Sequence, residues 1–304
     1  MLKIIENITI ETLLPYVEWT YFFKAWQLGG KYTDIERICD CPSCEIAWLA
    51  AAKDKEKARE ALKLFRDAQK MLRQIAENQI FNIRALFGLF SARSEGEDIV
   101  VASSASATLR LPMLRQQMPK NDGSPYLSLA DFVSPVNDKL GLFAVSVAGA
   151  DVLEKSYEND GDIFNALLVK SLADRLVEAA AEWLHERVRK DFWGYAKDEK
   201  LSIEQMRRSC YQGIRPAVGY PSLPDQSVIF RINELVSLDK IGISLTENGA
   251  MLPHSSICGM MIAQPESTYF MVGKIGEDQL EDYARRSGKS TDEMRKWLTR
   301  NLTE

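Results

Sequence analysis

Arg215 lies in the run GIRPAVGYP, residues 213–221, between two glycines and two prolines and ahead of Tyr220. The prolines fix φ and remove two backbone donors, so the run is a loop of set shape, neither a helix nor a central strand. Pro216 also pushes Arg215 toward an extended backbone. A guanidinium on a stiff, narrow loop has the form of an anion clamp; an exposed arginine on an ordinary surface turn is the competing reading. A second candidate is C-D-C-P-S-C, with Cys39, Cys41 and Cys44. Three thiols this close suit zinc or copper(I) if Cys210 or Cys258 completes a tetrahedral set. The other reading is a reduced surface-loop cluster without metal.

The two histidines, His185 and His254, narrow the remaining chemistry. The text after His185 is HERVR, so the H-E-x-x-H zinc motif is absent. Glu182-x-x-His185 has the spacing used in di-iron bundles, but those need a second copy of the pair, which is missing. His185 therefore reads as a partly buried side chain beside Trp183. No G-x-S-x-G elbow, P-loop or G-x-G-x-x-G turn is present. Asp174, Glu178, Glu182 and Glu186 recur every four residues. Such a ladder of like charges is either a solvated acidic face or a wall where one carboxylate meets a cationic ligand. Periodicity alone does not choose between them.

The elements that must position these groups follow from pattern. Residues 12–28 are aromatic-rich and end at Gly29 and Gly30. Residues 45–78 read as helix, with Leu62, Phe65, Ala68, Leu72 and Ile75 at helical spacing. RALFGLF, EDIVVAS, SATLRLP, LSLADFV and KLGLFAVSVAG read as short strands. The longest helical signal is 162–193, with Leu168, Leu172, Leu176, Ala180, Trp183 and Val188 as its apolar stripe. Ile243–Leu252 and Ile257–Ile275 read as strands, and the tail as two short helices split at Gly288 and capped by Ser290 or Thr291. Strands grouped apart from helices predict an α+β fold on an antiparallel sheet: one domain over 1–304, mainly helical over 1–83, mixed over 84–304.

The chain has 304 residues, 46% hydrophobic and 27% charged, with a net charge of −5. That balance is typical of globular proteins and argues against a general nucleic-acid binder. No apolar run approaches the length of a membrane span, and acidic residues interrupt the apolar N-terminus, so neither a membrane segment nor a signal peptide is expected. Five cysteines, an odd number, point to reduced thiols and a cytoplasmic location.

Several stretches together resemble one family. LLPYVEWTYFFKAWQLGGKY (13–32), LFRDAQKML (64–72), LADFVSP (129–135), LADRLVEAAAEWLHERVRKDFWGYA (172–196), YQGIRPAVGYPSLPD (211–225), LTENGAM (245–251) and QLEDYARRSG (279–288) are similar, in order, to the activation domain of cobalamin-dependent methionine synthase. The resemblance implies a C-shaped α+β domain around a twisted antiparallel sheet, with S-adenosylmethionine in a shallow groove. It carries binding roles onto Glu18, Glu178, Arg215, Ala217, Gly219, Tyr220, Tyr269 and Phe270. Glu18 stands where the family has an aspartate. Val218 stands where a proline is common, which implies a somewhat looser loop.

On this resemblance Arg215 clamps the ligand carboxylate, the glutamates face its ammonium and sulfonium, and the tyrosines offer ring faces. No side chain is expected to act as acid or base. The family's D-x-H-x-x-G cobalamin motif, its homocysteine zinc set and its folate module have no counterpart here. The resemblance thus implies a freestanding methyltransferase component, incomplete without a partner. Its partners would be a cobalamin-binding methionine synthase subunit and flavodoxin or a similar electron donor. The expected function is reductive methylation of cob(II)alamin held by that partner. The alternatives are a binding module for S-adenosylmethionine or a corrinoid protein without methyl transfer, and a reactivator of another corrinoid methyltransferase.

Overall fold

The computed structural model describes residues 2–30, 32, 35–38, 41–104 and 106–303. In chain order, β1 (Leu2–Ile8) leads into α1 (Ile10–Leu13), α2 (Trp19–Ala25), α3 (Pro42–Ala51) and α4 (Lys55–Glu77). Then come β2 (Asn82–Glu95), β3 (Asp98–Ala102), β4 (Thr108–Pro112) and β5 (Asp138–Ala148). The helices α5 (Ala150–Asn159) and α6 (Ile163–Arg187) follow, α6 running on into a π-helical turn, Val188–Phe192. The last part holds α7 (Ile203–Arg207), α8 (Val228–Val236), β6 (Ser244–Leu245), β7 (Met251–Leu252), β8 (Ser256–Met261), α9 (Glu277–Ser287) and α10 (Thr291–Trp297).

The sheet runs β4-β3-β2-β5-β8, antiparallel at every step. At fourteen residues β2 is long enough to take two partners on one edge: β1 along its first half and β3 along its last residues. Side chains alternate across the sheet, as a period of two requires. Ile83, Ala85, Phe87, Phe143 and Val145 face a core shared with α2, α4 and α6. Leu86, Leu140, Leu142, Ala144 and Met260 face a second core with α8 and the 3-10 turn Leu238–Ile241. A third, smaller cluster joins α9 and α10 to Leu114, Val272 and Ile275. The fold is therefore α+β, an antiparallel sheet covered by helices. Among the described residues no helix is long and apolar enough to cross a membrane.

Local chemistry accounts for the differences from pattern. The helical span 45–78 is two helices because Asp54 caps α4, its carboxylate accepting from Lys57 N at 3.1 Å. LSLADFV is not a strand. Ser128 and Asp131 form a reciprocal capping box, and the segment turns as the 3-10 helix Leu129–Phe132. YFMVGKI, the end of the expected strand stretch Ile257–Ile275, also fails to form a strand, since beyond β8 the chain from 262 to 275 makes single tethers instead of a ladder. Among the described residues up to 83, the regular elements are helical apart from β1 and the start of β2. The tail matches its pattern: Gly288, at φ 71°, ends α9, and Ser290 caps α10.

Candidate functional site

The loop 213–221 is laid along β8. Ile214 exchanges both backbone hydrogen bonds with Ile262 at 2.9 Å, Met260 N donates to Pro216 O at 2.9 Å, and Val218 N donates to Cys258 O at 2.9 Å. Pro216 cannot return the bond to Met260, so the segment is one rung short of a strand. Gly259 makes the close approach possible. A Cβ there would lie 2.3 Å from Pro216 O and 2.7 Å from the Ala217 Cα. The loop is not loosened by Val218: its N–H, which a proline would lack, supplies a rung.

Above this platform the loop, α6, the α1–α2 region and segment 269–271 enclose a cleft of about 730 Å³. That volume lies within the range of small-molecule binding sites. Seven of the eight expected residues line it: Glu18, Glu178, Arg215, Ala217, Tyr220, Tyr269 and Phe270. The eighth, Gly219, shapes the turn that carries Tyr220, with φ 83° and its N–H on Leu223 O at 2.8 Å. Tyr220 donates to Glu178 at 2.5 Å. Tyr269 OH accepts from the Arg215 backbone N–H at 3.0 Å. Phe270 packs edge-on to Phe132 and is tied to Ser222 by its backbone. Glu18 caps α2 through Thr20 N at 3.2 Å and pairs with Arg207, also at 3.2 Å.

Arg215 is neither exposed nor idle. Its Nη2 donates to Glu182 at 2.6 Å, its Nη1 donates to Tyr211 OH at 2.9 Å, and Nη1 also approaches His185 Nδ1 at 3.3 Å. Burial opposes the charge, but the Glu182 carboxylate and the tyrosine oxygens around it keep the guanidinium protonated. A guanidinium has five N–H donors. Three are committed here. Among the described residues the Nε–H and one Nη2 hydrogen have no partner.

The acidic ladder of α6 is not a solvated face. Asp174 accepts from Ser255 at 3.0 Å, Glu178 from Tyr220, Glu182 from Arg215, and Glu186 from Tyr16 and Lys190, each at 2.5 Å. His185 is fully buried, not partly, and its ring meets Tyr211 edge-on at 4.9 Å. Behind Tyr211, Arg189 stacks 4.3 Å from the ring and is held by Glu199. Sequence reasoning had Glu182 only as one member of the acidic ladder, with no assigned partner, and missed Tyr211 and Arg189 as parts of the site. The only sequence signal of those two was proximity to Glu178 and Arg215.

Cys39 lies outside the described residues. Cys41 Sγ accepts from Cys44 N at 3.3 Å and so caps α3. Cys258 is buried in β8 and Cys210 is exposed in the loop after α7. Among the described residues no three His, Cys, Asp or Glu side chains gather as a metal would need.

Two comparisons bear on this cleft. The family model for the activation domain of vitamin B12 dependent methionine synthase matches residues 9–288. The chain is also similar to the MetH reactivation domain, whose crystal structure is of the form bound to AdoHcy. The identity is 41% and the TM-score 0.89, over 100% of this chain and 91% of that one.

Proposed function

The chain belongs to the family of vitamin B12 dependent methionine synthase activation domains, and on that basis we propose that its cleft binds S-adenosylmethionine and presents the methyl group to a cobalamin held by a partner module. The ligand carries a carboxylate, an ammonium and a sulfonium. The cleft offers one guanidinium already held by Glu182, the carboxylates of Glu18 and Glu178, and the rings of Tyr220 and Tyr269. The donor set therefore fits the ligand charge for charge. Arg215 takes the carboxylate through two parallel N–H bonds. Glu178 and Glu18 face the positive centres, and the tyrosine faces favour the sulfonium.

A cobalamin held by the partner, with flavodoxin or a similar electron donor, would supply the reduced nucleophile for the methyl group, and the cleft would be left holding S-adenosylhomocysteine. The chain's own part is alignment. Holding the donor by its tail fixes where the sulfur sits, and alignment of reactants is worth several kcal/mol of barrier. No acid or base is needed, because no proton moves at the reacting atoms.

The observation that carries this reading is the half-committed guanidinium of Arg215 beside three carboxylates in one cleft. Calorimetric titration of wild type and Arg215→Lys with S-adenosylmethionine tests it. Lysine keeps the charge and loses the fork, so affinity is expected to fall by about 2 kcal/mol, roughly thirtyfold. Equal affinity in the two proteins rules out the clamp. Labelled methyl reaching cobalt, with a cobalamin module and a reductant present, then separates a methyl-presenting component from a passive binder.

A further inference from the structure

Glu182 and His185 are one turn apart on the same face of α6. Neither has a part in the ligand contacts above. Both touch Arg215, which enters from a loop thirty residues away in sequence. Glu182 binds Nη2 at 2.6 Å, and the side chains of this pair are only 15% and 18% exposed. His185 presents Nδ1 to Nη1 at 3.3 Å, while its Nε2 lies 3.3 Å from Tyr195 OH. Nδ1 can accept only when the proton sits on Nε2, and that tautomer then donates to Tyr195. Tyr211 OH takes the remaining Nη1 hydrogen. The grip thus covers one edge of the guanidinium and leaves the other open.

A free arginine side chain carries about 2 kcal/mol of rotamer entropy, which a ligand would otherwise have to overcome on binding. An arginine already held by one edge avoids that loss. The second oxygen of Glu182, Oε1, is buried with no hydrogen-bond partner. A buried, half-satisfied carboxylate works against folding stability. Such local conflicts belong at functional sites.

We propose that Glu182 and His185 are positioning residues: they hold Arg215 by one edge so that its other edge meets the ligand carboxylate, and in this way they set the preference for ligands that carry an amino-acid tail. This rests on the reading of the cleft as a site for S-adenosylmethionine.

The test compares two probes, S-adenosylhomocysteine and 5′-methylthioadenosine. Both have the adenosine and the thioether; only the first has the carboxylate. Each is titrated calorimetrically into wild type, Glu182→Gln and His185→Gln, after circular dichroism has shown which variants fold. The expected result is a loss of about tenfold for S-adenosylhomocysteine, the scale of one charged hydrogen bond, with 5′-methylthioadenosine unchanged within about twofold. If His185→Gln does not fold, Glu182→Gln, at a partly exposed position, carries the test alone. Equal losses for both probes, or a ratio that the substitutions do not move, overturn the positioning role while the cleft reading stands. A wild type that binds neither probe overturns both.

Discussion

His185 lies against the Arg215 guanidinium, the hydroxyl of Tyr195 and the ring of Tyr211, over which Arg189 also sits. Burial first, and then the charges of Arg215 and Arg189, hold its pKa well below the ordinary 6.5. In the unfolded chain the same imidazole takes up a proton near pH 6.5. Below that pH the unfolded state binds one proton more than the folded state, so stability falls as pH falls. The slope approaches about 1.4 kcal/mol per pH unit. The depressed carboxylates of Asp131, Glu186 and Asp282 act in the same direction, but only once pH drops below their ordinary values of 3.8 to 4.5. Urea unfolding at pH 7.5, 6.5 and 5.5 should therefore show a decline that His185→Gln abolishes; a flat profile for wild type would contradict a buried neutral histidine. Little of this was legible in the sequence. Arg215 and Glu178 drew attention through their motifs. Glu182 and His185 stood out only by spacing, and their role stayed open, because an acidic ladder and a lone histidine look alike whether they are solvated or partnered. What decides the matter is the arrival of Tyr16, Ser255, Tyr220 and Arg215 from segments 170, 81, 42 and 33 residues away.

At the scale of elements, the site depends on how the loop 213–221 meets β8. Two prolines and two glycines marked the loop in the sequence as one of set shape, and backbone hydrogen bonds tie it to β8 at Ile214, Pro216 and Val218. That it lies against a buried strand was not visible, because Gly259 sits in CGMMIA, an ordinary strand run. Gly259 does not need a glycine's backbone conformation; what matters is the missing Cβ. Gly259→Ala therefore isolates close approach from backbone strain. The alanine methyl would displace Pro216 and Ala217, and Arg215 with them. We expect a stability loss of about 1–3 kcal/mol, the usual cost of overpacking, seen in thermal melts. A loss of at least about tenfold in S-adenosylmethionine affinity should accompany it, by the scale of one charged hydrogen bond. Normal affinity in a folded Gly259→Ala protein would mean that the loop holds its shape without the strand. The helices α4 and α6 were legible from periodicity, and β2 and β5 from apolar strand-like runs, because their apolar faces meet the two main cores directly. The misread runs, LSLADFV and YFMVGKI, are apolar for the same reason, but their backbone bonds go to capping side chains and to the loop. Composition carries no sign of that choice.

The whole molecule is two cores sharing one sheet, with the α9–α10 cluster attached to it by polar ties. Arg286 reaches from α9 to the nearly buried Asp98 of β3 at 2.6 Å and to Met113 O at 3.2 Å. Tyr283 donates to the buried Asp225 at 2.8 Å. Segment 269–272 runs from the cleft toward this cluster, and Phe270 packs against both it and the second core. The cleft wall could thus depend on the C-terminal helices or on its own ties. Its own ties are stronger in number: Tyr269 to the Arg215 backbone, Ser222 to Phe270, and Val272 N to Pro221 O at 2.9 Å. All three bind the wall to the Arg215 loop and none to α9 or α10. Breaking the remote pair should therefore lower stability without disabling the site. Arg286→Met leaves Asp98 nearly buried with only its partly exposed partner Arg110. Removing one member of a buried pair costs about 3 kcal/mol. The melting temperature should fall clearly, while S-adenosylhomocysteine affinity at 15 °C, where the variant is still folded, stays within about twofold of wild type. Affinity that collapses along with stability would make the C-terminal helices part of the binding unit, and the wall at Tyr269 would then be held from both sides.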